Sequence, residues 1–168
     1  MDLYWERVFA YAYRLTYNKI DAEDITQETF LRAFRNLAKY TPDAPFKSWL
    51  LRIATNLFLD YKKSAQNRDV ISGEMSQYMR TAPSAETIAD QRELLTELWE
   101  VIQTLTKEQQ VVILLRAVER LDYPEIAGML DIKESTARWH MYEARRILRR
   151  KLSRKFDLVE GENNESGA

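Results

Sequence analysis

The sequence predicts an all-α protein built from two small helical units. Three observations predict it: apolar residues recur at helical spacing in stretch after stretch, Gly and Pro number only four each among 168 residues, and a polar segment without sustained period divides the chain near its middle. The 45% hydrophobic and 30% charged residues suit folded, helix-rich protein rather than disorder.

In LYWERVFAYAYRLTY, Leu3, Val8, Tyr11 and Leu15 share one face of a first helix, which stops at the turn-like Asn18 and Lys19. The run DAED opens a second helix with a capping residue, Asp21, and acids in the first turn, where the helix dipole favours them. Ile25, Phe30, Ala33, Phe34 and Leu37 then form an apolar stripe reaching to about Ala38. Pro42, Asp43 and Pro45 mark a loop, and FKSWLLRIATNLFLDYKK resumes a strongly apolar helix to about Ser64.

Residues 66–84 read as a flexible linker, leaving a first domain over 1–65. A second domain, 85–156, begins with a helix carrying Ile88, Leu94, Leu95, Leu98, Val101 and Ile102. Thr106 and Gln109 form a capping box ahead of VVILLRAVE. Asp122 and Glu125 start a short helix in which Pro124 is tolerated in the first turn. A three-residue turn, Asp131 to Lys133, leads to a last helix rich in Arg. Residues 157–168 read as an unfolded acidic tail.

Charge is unevenly placed. The net charge is −1, yet residues 133–156 hold nine Lys and Arg against two Glu, a net +7, flanked by −5 over 93–132 and −4 over 157–168. Such a block favours a polyanionic partner. Two short helices joined by a tight turn, the second basic, have the shape of a helix-turn-helix. Ile126, Ala127, Leu130, Ile132, Ala137, Met141 and Ala144 supply its small core. Ser135, Thr136, Arg138, Trp139, Tyr142 and Glu143 are left to face outwards where base edges are read, Arg138 suited to a guanine and Glu143 to a cytosine amine. Arg145, Arg146, Arg149 and Arg150 are placed for phosphates. The bland alternative is a solvated basic face on a packed helix.

Some chemistries are excluded or unsupported. There is no Cys, which rules out disulfides and thiolate chemistry and fits a reducing compartment. The N-terminal stretch MDLYWERVFAYAYRL carries acidic charge among its apolar residues and predicts neither signal peptide nor membrane insertion, so a cytoplasmic location is the expectation. His140, the single His, has no partners at metal-ligand spacing. Asp21, Glu23, Asp24 and Glu28 cluster on one helix, but no second set of ligands, nucleophile motif or phosphate loop accompanies them. Neither enzyme activity nor a cofactor is expected.

DAEDITQETFLRAFRNL followed by APFKSWLLRIATNLFLDYKK resembles region two of bacterial sigma factors of the extracytoplasmic-function (ECF) group, in the sigma-70 family. LTKEQQVVILLRAVERLDYPEIAGMLDIKESTARWHMYEARRILRRKL resembles their region four. This resemblance covers about residues 3–64 and 94–152. It implies an alternative sigma factor that binds core RNA polymerase, directs it to promoter DNA and is held in check by an anti-sigma factor, the free chain being a monomer. Asp24, Gln27, Glu28 and Arg32 resemble the surface that docks on the polymerase clamp. Asn36, Tyr40 and the loop through Phe46 resemble the pocket for a flipped base of the minus-ten element, and Trp49, Arg52, Asn56, Lys62 and Lys63 match the adjoining helix that faces the non-template strand. Trp49 and Phe46 equally suit a core role between the second and third helices. Capturing an unpaired base takes an aromatic or amide-lined pocket plus cations, and no catalytic residue. The chain departs from the family in region four: Trp139 and His140 stand where Ser and Arg are common, and Glu143 where many members are basic. The competing reading is a stand-alone helix-turn-helix regulator. Such a protein would carry a ligand-binding or phosphoacceptor domain, which the front half does not provide.

Overall fold

The computed structural model describes residues 2–41, 45–61 and 88–165, with side chains over 4–38, 40–41, 45–61 and 95–153. Among the described residues the chain is helical and has no strand. Its elements are α1 (Asp2–Thr16), α2 (Lys19–Arg35), a 3₁₀ turn (Leu37–Lys39), α3 (Phe46–Asp60), α4 (Ile88–Ile102), α5 (Lys107–Ala117), α6 (Tyr123–Leu130) and α7 (Glu134–Glu165). None of the described helices is long and apolar enough to cross a membrane. The expected linker, together with Lys62 and Lys63, lies outside the described residues.

The front unit packs α1, α2 and α3 around Val8, Tyr11, Leu15, Ile25, Leu50, Leu51 and Phe58, all buried. Tyr11 and Thr55 satisfy each other inside it, their hydroxyl oxygens 2.7 Å apart. Two expectations change here. The cap of α2 is Asn18, whose side chain accepts from the Asp21 amide at 3.1 Å, one turn earlier than expected. Asp21 instead accepts from the Tyr61 hydroxyl at 2.7 Å, tying the start of α2 to the end of α3.

The apolar stripe assigned to α2 is also corrected. Phe34 is 77% exposed and Leu37 50% exposed, while the buried face is Ala22, Ile25, Thr26, Thr29 and Ala33. Small residues let α1 approach closely, and the buried threonines return their hydroxyls to their own helix: Thr26 Oγ1 donates to the Ala22 carbonyl at 2.6 Å and Thr29 Oγ1 to that of Ile25 at 2.7 Å.

The rear unit forms as the local signals require. Thr106 accepts from the Gln109 amide and Gln109 Oε1 accepts from the Thr106 amide at 3.1 Å, a complete capping box. Asp122 and Glu125 close the same reciprocal pair at 2.9 and 3.0 Å. Asp131 takes a left-handed conformation, φ 53°, to end α6, and Glu134 begins α7 three residues later. Buried Ile126, Ala127, Ala137, Met141 and Ala144 join the two helices; Leu130 and Ile132 are only half-buried. Leu95, expected on the core face of α4, is 43% exposed.

Helix α5 is buried along Val111–Leu115 because it lies between the helix-turn-helix and the front unit. Its first turn meets the end of α3: Lys107 Nζ donates to the carbonyls of Phe58 at 2.9 Å and Leu59 at 3.0 Å, and to that of Tyr61. Lys47 pairs with Glu119 at 2.6 Å across the same boundary. Helix α7 runs unbroken to Glu165, so the acidic tail expected to be unfolded is helical over its first nine residues. Once a helix exists, each further residue adds a hydrogen bond without a new nucleation cost, and no Pro interrupts this one.

Candidate nucleic-acid interface

The front unit assembles an aromatic cluster at the start of α3. Tyr40 arrives from the 3₁₀ turn and lies 5.3 Å from the Phe46 ring and 5.2 Å from that of Trp49, while Phe46 and Trp49 are 5.5 Å apart. Tyr4 of α1 closes the cluster edge-on to Phe46 at 5.3 Å. All of these except Tyr4 were singled out in the sequence. Tyr4 was missed because it stands a whole helix hairpin away in the chain. Trp49 is half-buried, so one side packs and the other remains available.

Asn36 ends α2, its side-chain amide donating to the Arg32 carbonyl at 2.9 Å. Arg52 and Asn56 are exposed one turn apart on α3, continuing the line begun by Trp49. The result is an aromatic platform bordered by amide and cationic groups, the combination that holds unstacked bases and their backbone.

On α2, Asp24 and Gln27 are exposed and Glu28 pairs with Arg32 at 2.7 Å. Leu31, 52% exposed, and Phe34 share this face, so the surface expected to be polar is a mixed patch with an apolar end. Spacing could have found it: Phe34 stands seven residues after Gln27, two helical turns along the same face.

The rear unit presents the start of α7. Ser135, Arg138, Trp139, Tyr142, Arg145, Arg146 and Arg149 are exposed; Thr136 and Glu143 are half-buried. Tyr142, Arg145, Arg146, Arg149, Arg150 and Ser153 line an open groove. Four guanidinium groups in one groove suit phosphate oxygens. Two expected readers are already engaged. Arg138 donates to Glu134 at 2.6 and 2.9 Å and its guanidinium lies 4.3 Å from the Tyr123 ring centre. Glu143 accepts from Arg146 at 2.7 and 3.2 Å. The carboxylate partner holds the Arg146 guanidinium above its ordinary pKa. His140 packs its ring at 5.0 Å from that of Trp139, edge to face, and its Nδ1 is buried without a hydrogen bond among the described residues. No cluster of three or more His, Asp or Glu that could hold a metal occurs among the described residues.

Two family models match the chain in the order of its two units: "Sigma-70 region 2" over residues 2–68 and "Sigma-70, region 4" over residues 95–148. The chain belongs to the sigma-70 family, in its ECF group. It is 36% identical over 146 residues to the ECF RNA polymerase sigma factor SigE of Mycolicibacterium smegmatis, which covers 86% of this chain and 56% of that protein. It is 28% identical over 161 residues to SigW of Bacillus subtilis, covering 90% of this chain and 86% of the other. The chain thus spans little more than half of the first relative and most of the second. Among solved structures, the sigma factor RpoE in complex with the anti-sigma factor NepR from Bartonella quintana shares the fold, with a TM-score of 0.66, 18% identity and coverage of 90% of this chain and 92% of that one. The aromatic platform therefore lies within region 2 and the basic groove within or just beyond region 4.

Proposed function

We propose that this chain is an alternative sigma factor: it binds core RNA polymerase, carries it to promoters and opens the DNA for initiation. One observation carries the reading. A single chain holds an aromatic, amide-edged platform on region 2 and a basic helix-turn-helix on region 4, two surfaces for two different states of DNA, single-stranded and duplex.

In this reading Asp24, Gln27, Glu28 and Arg32 dock on the polymerase, joined by Leu31 and Phe34, whose exposure is costly unless a partner covers them. Asn36, Tyr40, Phe46 and Trp49 take a base of the minus-ten element, with Arg52 and Asn56 along the strand. Ser135, Thr136, Arg138, Trp139, Tyr142 and Glu143 address the minus-thirty-five duplex, and Arg145, Arg146 and Arg149 its phosphates. The protein acts in the cytoplasm as a non-catalytic, cofactor-free subunit, monomeric until it meets polymerase or an anti-sigma factor that restrains it.

Run-off transcription with purified core polymerase on pooled promoter fragments tests this. Start sites that require the protein, and disappear with Arg52→Ala and Asn56→Ala, are the expected result. Duplex binding without co-elution with core polymerase and without new transcripts would point instead to a stand-alone regulator.

A further inference from the structure

The front of α7 exposes rings as well as charges. Trp139 and Tyr142, one turn apart, are 56% and 64% exposed, on a helix whose other outward side chains are mostly charged. Large exposed rings next to each other need a reason, since water gains nothing from them. Two nearby hydrogen-bonding readers, Arg138 and Glu143, are committed elsewhere. Redirecting Arg138 to a base forfeits both Glu134 and the Tyr123 ring, and leaves a bare carboxylate facing the DNA. Redirecting Glu143 strips Arg146 of its partner. His140, packed edge-on against the indole, supports Trp139 from its own helix. Tyr142 also forms the near end of the arginine groove, so phosphates gripped there set its distance from the base edges.

We propose that Trp139 and Tyr142 determine the upstream specificity of this protein by packing on the C5-methyl groups of thymines in the major groove. The methyl is the one apolar feature a base pair displays there, and it marks the T of an A·T pair unambiguously. This rests on the promoter-recognition reading given above. It assigns to the two rings a role in choosing sequence, and to Arg138, on the same duplex-facing surface, a contact with Tyr123 that ties α7 to α6 while Glu134 of its own helix orients it.

Replacing thymine by deoxyuridine removes the methyl and leaves all hydrogen bonding intact. The experiment measures binding of the full-length protein, assembled on core polymerase, to promoter duplexes in which upstream thymines are changed one at a time. At one or two positions the loss should be about fourfold, the worth of one buried methyl group. Trp139→Ala should abolish that sensitivity at one of them, while Tyr142→Phe should keep it. Both residues are exposed, so these changes leave the fold in place, which circular dichroism verifies. Sequence-specific binding that ignores every methyl, or a sensitivity that survives Trp139→Ala and Tyr142→Ala together, overturns the inference alone. Absence of any sequence-specific promoter binding with core polymerase overturns the sigma-factor reading and this inference with it.

Discussion

Lys107 caps Phe58. The ammonium at the start of α5 sits on carbonyls at the C-terminus of α3, 2.9 Å from the Phe58 oxygen, which also accepts from the Tyr61 amide at 3.2 Å, 3.0 Å from that of Leu59, and 5.2 Å from the Phe58 ring centre. A cation there supplies a donor to the last carbonyls and meets the negative end of the helix dipole. The same contact joins region 4 to region 2, with Gln103 Nε2 donating to the Arg14 and Leu15 carbonyls at 3.3 Å and the Lys47–Glu119 pair bridging the opposite ends of α3 and α5.

Lys107→Ala should therefore loosen the docking of the two units. Charge-assisted hydrogen bonds to several carbonyls contribute about 2 kcal/mol net, or roughly thirtyfold in an open-to-closed ratio. The free protein should gain in radius of gyration by small-angle scattering, while its helix content stays the same. An unchanged radius would mean that buried apolar contacts of α5 hold the units together without the cap.

This contact also shows where sequence reading stops. The capping boxes at Thr106 and Asp122, and the turn at Asp131, were legible because donor and acceptor lie within four residues and the chemistry is local. The family motifs gave the aromatic platform for the same reason: Phe46 and Trp49 are three residues apart on one helix. Lys107 reads only as a cation in a helix's first turn, where the dipole disfavours it; its partner lies 49 residues earlier and no periodicity encodes it. Phe34 misled for a different reason. An aromatic beside Ala33 looks like core, and only the close packing permitted by Ala22 and the two back-bonded threonines turns it outward.

Phe34→Ala tests the consequence. A side chain already 77% exposed gives up little burial when removed, so thermal stability should change by less than about 0.5 kcal/mol. If the mixed face of α2 docks on polymerase, affinity for the core enzyme should fall by about tenfold or more, as expected of an aromatic anchor. Equal affinity would remove Phe34 from the docking surface.

Alkaline pH should weaken the fold through tyrosines. Burial, with Glu100 and Tyr13 adding repulsion, pushes the Tyr17 hydroxyl up to about 12, and burial raises Tyr11 further still. Both native pKa values exceed the unfolded value near 10, so above about pH 10 the unfolded chain releases protons that the folded one keeps. Stability should thus be full below pH 10 and fall as pH rises towards 12. Tyr17 Oη is buried without a hydrogen bond among the described residues, so Tyr17→Phe should add about 1 kcal/mol near neutrality and flatten part of the alkaline loss. Melting temperatures from pH 8 to 11.5 for both proteins check this.

Glu143 tunes the arginine groove. Its carboxylate takes one guanidinium, that of Arg146, out of the row of arginines lining the groove. An exposed intrahelical pair of this kind stabilises a helix by only about 0.3–0.5 kcal/mol, so Glu143→Gln should cost little in stability. For DNA the effect is larger, since a negative charge leaves and a cation is released. Non-specific duplex binding should tighten, and the dependence of log affinity on log salt should steepen by about one, the signature of one more phosphate contact. Arg149→Ala should move the slope the other way by a similar amount. If Glu143→Gln left the slope unchanged and altered only which base is preferred at one position, the carboxylate would be reading a base rather than holding Arg146.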